Sequence, residues 1–224
     1  MMKKVIFWDF DGTLVHPNTR FVDALDTTLK QFGYHIDKNV LTTYLQRIYP
    51  WLNYHVAYPN ETDKWWDNFL KELSAFYEEN NVNPSDYEKI NAGFRNFIIN
   101  INTYVIYHDA KLVLGKCVEL GYKNYLLSNN FPELTKFIED FDLNQYFSGV
   151  IISSLVGYEK PRKELFDYAK KLANCETGIM IGDNPIADIQ GAKDNGLKAV
   201  LVHSDAESIA DYMFETLEEV LNIL

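Results

Sequence analysis

Lys3-Lys4-Val5-Ile6-Phe7-Trp8-Asp9-Phe10-Asp11-Gly12-Thr13 is a short apolar and aromatic run that ends in two carboxylates and a glycine turn. The run does not alternate between polar and apolar residues, so it reads as a strand buried on both faces. Four later runs have the same character: Tyr122–Leu127, Val150–Ser153, Gly178–Ile181 and Lys198–Val202. Helical stripes lie between them. Leu112, Val113, Cys117 and Leu120 mark one, Leu134, Phe137, Ile138 and Phe141 the next, and Leu165, Phe166, Ala169 and Leu172 a third. Strands that alternate with helices predict an α/β fold built on a doubly wound, Rossmann-like parallel sheet.

Residues 19–103 carry no strand pattern and read as an all-helical insertion. Phe21, Leu25, Thr28, Leu29 and Phe32 form a stripe that stops at Gly33, a suitable helix terminator. Val40, Leu41, Tyr44, Leu45 and Ile48 form another, stopped by Pro50. Trp65, Trp66, Phe69, Leu70, Leu73, Phe76 and Tyr77 follow a Thr62 cap. Ser85 with Glu88 is a capping box before Ile90, Phe94, Phe97 and Ile101. The expected organisation is a core domain of residues 1–18 and 104–224 with a helical domain at 19–103, hinged near 14–19 and 103–108.

Acidic residues outnumber basic ones by 32 to 21, a net charge of -11, with no Lys/Arg run to offset it. Nucleic acid and anionic membranes are therefore poor partners. An anionic small molecule stays compatible if a metal, a lysine and backbone amides reverse the potential locally. The apolar start ending at Asp9 is too short for a signal h-region, and no run approaches the roughly 18 apolar residues of a membrane span. Cys117 and Cys175 sit in unrelated contexts, which suits buried thiols in a reducing cytoplasm.

The Asp-x-Asp-Gly-Thr pentapeptide should arise by chance in roughly one chain per thousand of this length. It also falls where open parallel sheets place ligands, at the carboxyl end of a strand. Three further pieces follow later strands: Leu127-Ser128-Asn129-Asn130, Gly157-Tyr158-Glu159-Lys160-Pro161, and Gly182-Asp183-Asn184-Pro185-Ile186-Ala187-Asp188. Singly, each has an ordinary reading: a serine helix cap, a solvated lysine before a helix-initiating proline, and a glycine-aspartate helix start.

Together, in this order, the pieces FWDFDGTLV, YLLSNN, GYEKP and MIGDNPIADIQGA resemble the haloacid dehalogenase superfamily, in its phosphatase-like members with an inserted helical cap. The resemblance is strongest over residues 3–15 and 122–202 and only architectural over 19–103. It implies that Asp9 is a nucleophile forming an acyl phosphate, and that Asp11 protonates the leaving alcohol and then activates water. Bare carboxylates would repel one another and the substrate phosphate, so a divalent cation is required. The resemblance implies Mg2+ held by the Asp9 carboxylate, the Asp11 backbone carbonyl and Asp183, with Asp188 acting through water or capping the next helix. It implies that Lys160 faces Asp9 and the phosphate, and that Thr13, Ser128 and Asn129 contact phosphate oxygens while Gly12 lets the backbone approach.

Two positions depart from the family pattern: His16-Pro17 follows the first motif, and Arg162 follows Lys160-Pro161. His16 is read as hinge packing and Arg162 as a solvated first-turn residue. Arg47, His55, Lys64 and Arg95 are the polar candidates in the cap for touching substrate, and Trp65 and Trp66 are read as core. The expected activity is phosphomonoester hydrolysis of a small phosphorylated molecule, with nucleotides, phosphoglycolate and sugar phosphates left open. A sugar-phosphate mutase and a non-catalytic phospho-ligand scaffold are the alternatives. The sequence does not decide between monomer and homodimer.

Overall fold

The computed structural model describes residues 4–17, 19–50, 52–55 and 62–224, without the side chains of Thr62 and Asp63. Six parallel strands form one sheet in the order β3-β2-β1-β4-β5-β6: β1 Val5–Trp8, β2 Lys123–Ser128, β3 Phe147–Ile152, β4 Ile179–Gly182, β5 Lys198–Val202 and β6 Tyr212–Phe214. This is the Rossmann strand order, in which the direction of winding reverses between β1 and β4. The five strands expected from sequence are present. The sixth carries no apolar run to announce it; it is an edge strand held by backbone pairing to β5.

β1 is central and every one of its residues is buried. On one face Phe7, Leu127, Met180 and Leu201 meet Leu165, Phe166 and Ala169 of helix Lys163–Ala173. Side chains alternate across a strand. The opposite face holds Trp8 and Asn124, joined by a 3.0 Å bond from the indole Nε1 to the amide Oδ1. Asn124 Nδ2 in turn donates to Leu114 O of helix Ala110–Glu119 and to Tyr146 O, so this fully buried amide is satisfied. Helices on both faces make the sheet doubly wound, and each large side chain fully buried there stabilises the fold by about 1.5–3 kcal/mol.

The chain divides into two compact units, one with residues 4–17, 54–55 and 105–224 and the other with 19–50, 52–53 and 62–104. His55 thus groups with the sheet, where its carbonyl accepts from Arg162 Nη1 at 3.2 Å, although the sequence reading put it among the helices. The two segments that lead out of and back into the sheet unit pair with each other. Val15 and Ile106 form an antiparallel bridge, His16 N–H donates to Val105 O at 2.8 Å, and Tyr107 N–H donates to Leu14 O at 2.9 Å.

The second unit contains helices Arg20–Gln31, Lys38–Ile48, Thr62–Glu79 and Tyr87–Ile98. Trp65, Trp66, Phe69 and Phe94 are buried at its centre, with Trp65 stacked on Phe69 and Phe69 on Phe94. Arg47 lies over the Tyr44 ring and Arg95 over Trp66. Gly33 terminates the first helix with φ +82°. The capping box does not form. Asn83 instead accepts from Ser85 N–H and starts a 3₁₀ turn, Pro84–Asp86, that leads into the fourth helix. The Thr62 cap falls on a side chain outside the described residues. Val40, Leu112, Leu120 and Leu172 belong to the expected stripes but are exposed, and Ala110 and Leu114 fill the face of helix Ala110–Glu119 in place of the two leucines. Cys117 is buried, which pushes its thiol up to about 12, whereas Cys175 is only partly covered. Among the described residues no helix is long and apolar enough to cross a membrane.

Candidate active site

The site lies at the carboxyl ends of β1, β2 and β4, at the reversal between β1 and β4. Asp9 N–H donates to Ile181 O at 2.9 Å, carrying the β1–β4 ladder one residue past the strand. The chain then folds back on itself, with Leu14 and Val15 N–H donating to Phe10 O. That turn requires φ +81° at Gly12. It also brings Asp183 directly over Gly12: a Cβ there would lie 2.1 Å from Asp183 Oδ2. Gly182 does the same for Asp188, whose Oδ2 would be 2.2 Å from an added Cβ. Two missing side chains therefore make the space in which two carboxylates stand.

Asp9, Asp183 and Asp188 each offer a carboxylate oxygen, and these atoms lie within 4.8 Å of one another. Lys160, 1% exposed, is the cation set against them. Its Nζ donates to Asp188 Oδ1 at 2.6 Å, Asp9 Oδ1 at 2.7 Å and Leu127 O at 2.8 Å. Burial alone would lower the lysine pKa, but the charges of Asp188 and Asp9 outweigh it and hold the group firmly protonated. All three ammonium protons are used within the protein, so Lys160 acts on its surroundings chiefly by charge.

Three acids against one lysine leave negative charge to spare. Burial, then the charges of Asp9 and Asp188, push Asp183 up to about 8. Burial raises Asp188 to about 6 despite Lys160 beside it and the Asn184 N–H on its Oδ2 at 3.1 Å. Asp188 has both oxygens committed to protein donors. Asp183 Oδ1 meets the Thr13 hydroxyl at a long 3.5 Å. A hard, oxygen-seeking cation fits such a donor set.

Ser128 ends β2 with its side chain buried and its Oγ 3.5 Å from Asn130 Nδ2. Asn129 is engaged differently from expectation. Its carboxamide bonds the backbone of Lys160 at both ends, Oδ1 accepting from Lys160 N–H at 2.7 Å and Nδ2 donating to Lys160 O at 3.0 Å. It anchors the backbone of the segment that carries Lys160. Sequence reasoning missed Asn130, whose Nδ2 donates to Asp11 Oδ2 at 2.7 Å. Its place directly after Ser128-Asn129 was the available signal. His16 packs on Tyr107, which stacks in turn on His203. Arg162 is not simply solvated: it pairs with Glu164 and lies over the Tyr158 ring.

Fold and site together define an enzyme of the Rossmann-like α/β class with an acidic centre at the strand ends. A family model for haloacid dehalogenase-like hydrolases matches residues 3–196, and the chain belongs to that family, among its phosphatase-like members. It is 29% identical over 207 residues to a glyceraldehyde 3-phosphate phosphatase of Pyrococcus abyssi, covering 89% of this chain and 81% of the relative. It is 33% identical over 129 residues to a phosphoserine phosphatase of Thermus thermophilus, covering 52% of this chain and 50% of that one. YfnB of Bacillus subtilis, in a structure bound to magnesium, superposes with a TM-score of 0.75 at 19% identity, covering 100% of this chain and 99% of that one.

Proposed function

We propose that this protein is a magnesium-dependent phosphomonoesterase that works through an acyl phosphate on Asp9. The observation that carries the reading is the surplus of carboxylates around one buried, fixed lysine: Asp9, Asp183 and Asp188 with Lys160. A bound Mg2+, held by the Asp9 and Asp183 carboxylates and the Asp11 carbonyl, would neutralise charge on the transferring phosphoryl oxygens. Asp9 attacks phosphorus as the ester P–O bond breaks, and the leaving oxygen takes the proton of the Asp11 carboxyl. The Asp11 carboxylate then removes a proton from water as that water displaces phosphate from Asp9, restoring both acids. Thr13 and Ser128 orient phosphate oxygens, and the fixed charge of Lys160 opposes their repulsion from Asp9.

The names of the two relatives favour a small phosphorylated metabolite as substrate, and Cys117 and Cys175, which form no disulfide among the described residues, suit the cytoplasm. Phosphate release from a panel of phosphorylated metabolites, with an activated aryl phosphate included, tests the reading. Release should require Mg2+ and stop with chelator. No release from any compound at saturating Mg2+ would overturn it.

The acidic cluster also sets a pH dependence. Asp183 has a folded pKa of about 8 against an ordinary 3.8, so its contribution to stability is complete below the ordinary value and is lost as pH rises through about 8. Mg2+ relieves that loss by neutralising the ionised cluster. The rise in Tm on adding Mg2+ should therefore be larger at pH 8 than at pH 5.5, and an equal rise at both would contradict the assignment. Asp183→Asn should weaken Mg2+ binding far more than Asp188→Asn, whose oxygens already have protein partners. Matching titration curves for the two variants would remove Asp183 as a direct ligand.

A further inference from the structure

We infer that Asn130 is a positioning residue for proton transfer, holding the Asp11 carboxylate in the one orientation that serves the leaving group and then the water. The inference rests on the acid/base role proposed for Asp11.

Asn130 is only 4% exposed, and each of its polar ends is pinned. Its Oδ1 accepts from Phe131 N–H at 3.0 Å. Because a backbone N–H can only donate, this bond fixes which end of the carboxamide is oxygen. The NH2 end is thereby turned to Asp11, where it donates to Oδ2 at 2.7 Å, with Ser128 Oγ at 3.5 Å on its other side. The Asn130 backbone is tied to the end of the neighbouring strand, its N–H donating to Ser153 Oγ at 3.0 Å, with the Ser153 hydroxyl 3.4 Å from Asn130 O. Ser153 is fully buried. The arrangement is thus a rigid bracket from the ends of β2 and β3 to the carboxylate that follows β1.

A carboxylate that must give a proton and later take one back needs one oxygen on the reacting atoms and the other out of the way. A donor fixed on Oδ2 provides that division. The amide donor takes up one lone pair of Oδ2 and stabilises negative charge on that oxygen, which favours Oδ1 as the carrier of the transferable proton. Asp11 needs no reorientation between the two half-reactions, which is how a positioned group lowers a barrier. The bracket does not touch phosphorus, and its effect should appear only where Asp11 transfers a proton.

The test compares kcat/KM, which reports the first chemical step, for an alkyl phosphate with a poor leaving group and an aryl phosphate with a good one. Asn130→Ala should lower the alkyl value by about 10- to 100-fold, leave the aryl value within about 2-fold, and lower kcat for both by slowing attack of water. In an Asp11→Asn background the same substitution should change the alkyl value by less than about 2-fold, because the residue acts through Asp11. A purely structural loss would lower both substrates alike in both backgrounds and would overturn the inference. Asn130→Ser, which keeps a small polar group, repeats the comparison should the alanine variant fold poorly, and unchanged discrimination in it would count equally against us. If Asp11→Asn alone shows no discrimination between leaving groups, the acid role of Asp11 fails instead. If Asp11→Asn discriminates and neither Asn130 variant does, only the bracket fails.

Discussion

Asp9→Asn should reduce turnover by at least about 10⁴-fold while leaving the protein folded. The amide has nearly the shape of the carboxylate but cannot attack phosphorus. The fold should tolerate it because Lys160 keeps two of its three partners, Asp188 Oδ1 and Leu127 O, and because one negative charge leaves a crowded group of three. Phosphate release, a circular-dichroism spectrum and a trap for covalently bound phosphate should agree: no release, an unchanged spectrum and no phosphoenzyme. Turnover that persists after mass spectrometry has excluded deamidation would take the nucleophile role from Asp9.

Lys160→Met should be the most destabilising single change at the site, at about 3–5 kcal/mol, because it leaves buried charge without its partner. Methionine fills much of the space but donates nothing. Asp188, fully buried, would keep only the Asn184 N–H, and Leu127 O would lose a donor. Urea denaturation measures the loss, and added Mg2+ should recover part of it because a cation then answers the same charge. A loss below about 1 kcal/mol would mean that the carboxylates are neutral in the folded protein and that Lys160 does not hold them together. Turnover should vanish in this variant in either case.

These two expectations draw on different kinds of legibility. Asp9 was readable because strand, acid pair and turn are contiguous, and a buried run needs no distant partner to be recognised. Lys160 was readable only through its neighbours in sequence, and its bond to Asp188 spans 28 residues that no local pattern connects. The Asn129 and Asn130 assignments differ for the same reason. Side by side in sequence, they point to different partners, one to the backbone of Lys160 and one to Asp11. In the fold, β6 escaped notice because its exposed Tyr212 and Met213 carry none of the apolar signal of a central strand. The exposed Leu112, Leu120 and Leu172 show the converse, since a helical stripe tells which residues share a face but not how wide the covered part of it is.

The paired bridge between Val15 and Ile106 has a consequence for how this architecture is put together. The chain departs from the sheet at His16 and returns at Val105, and those two backbones are already hydrogen-bonded at 2.8 Å. The whole helical excursion therefore hangs from a socket whose two terminals touch. Any segment whose own ends lie close together can be plugged into such a socket without shifting the register of a single strand, and lengthening it adds only slowly to the entropy of closing the loop. Replacing the excursion with a turn of a few residues would remove His55 O as an acceptor for Arg162, while the Arg162–Glu164 pair stays in place. The acids, the lysine and the asparagine bracket all lie on the sheet side of that socket, so the part that is exchanged and the part that reacts can change independently.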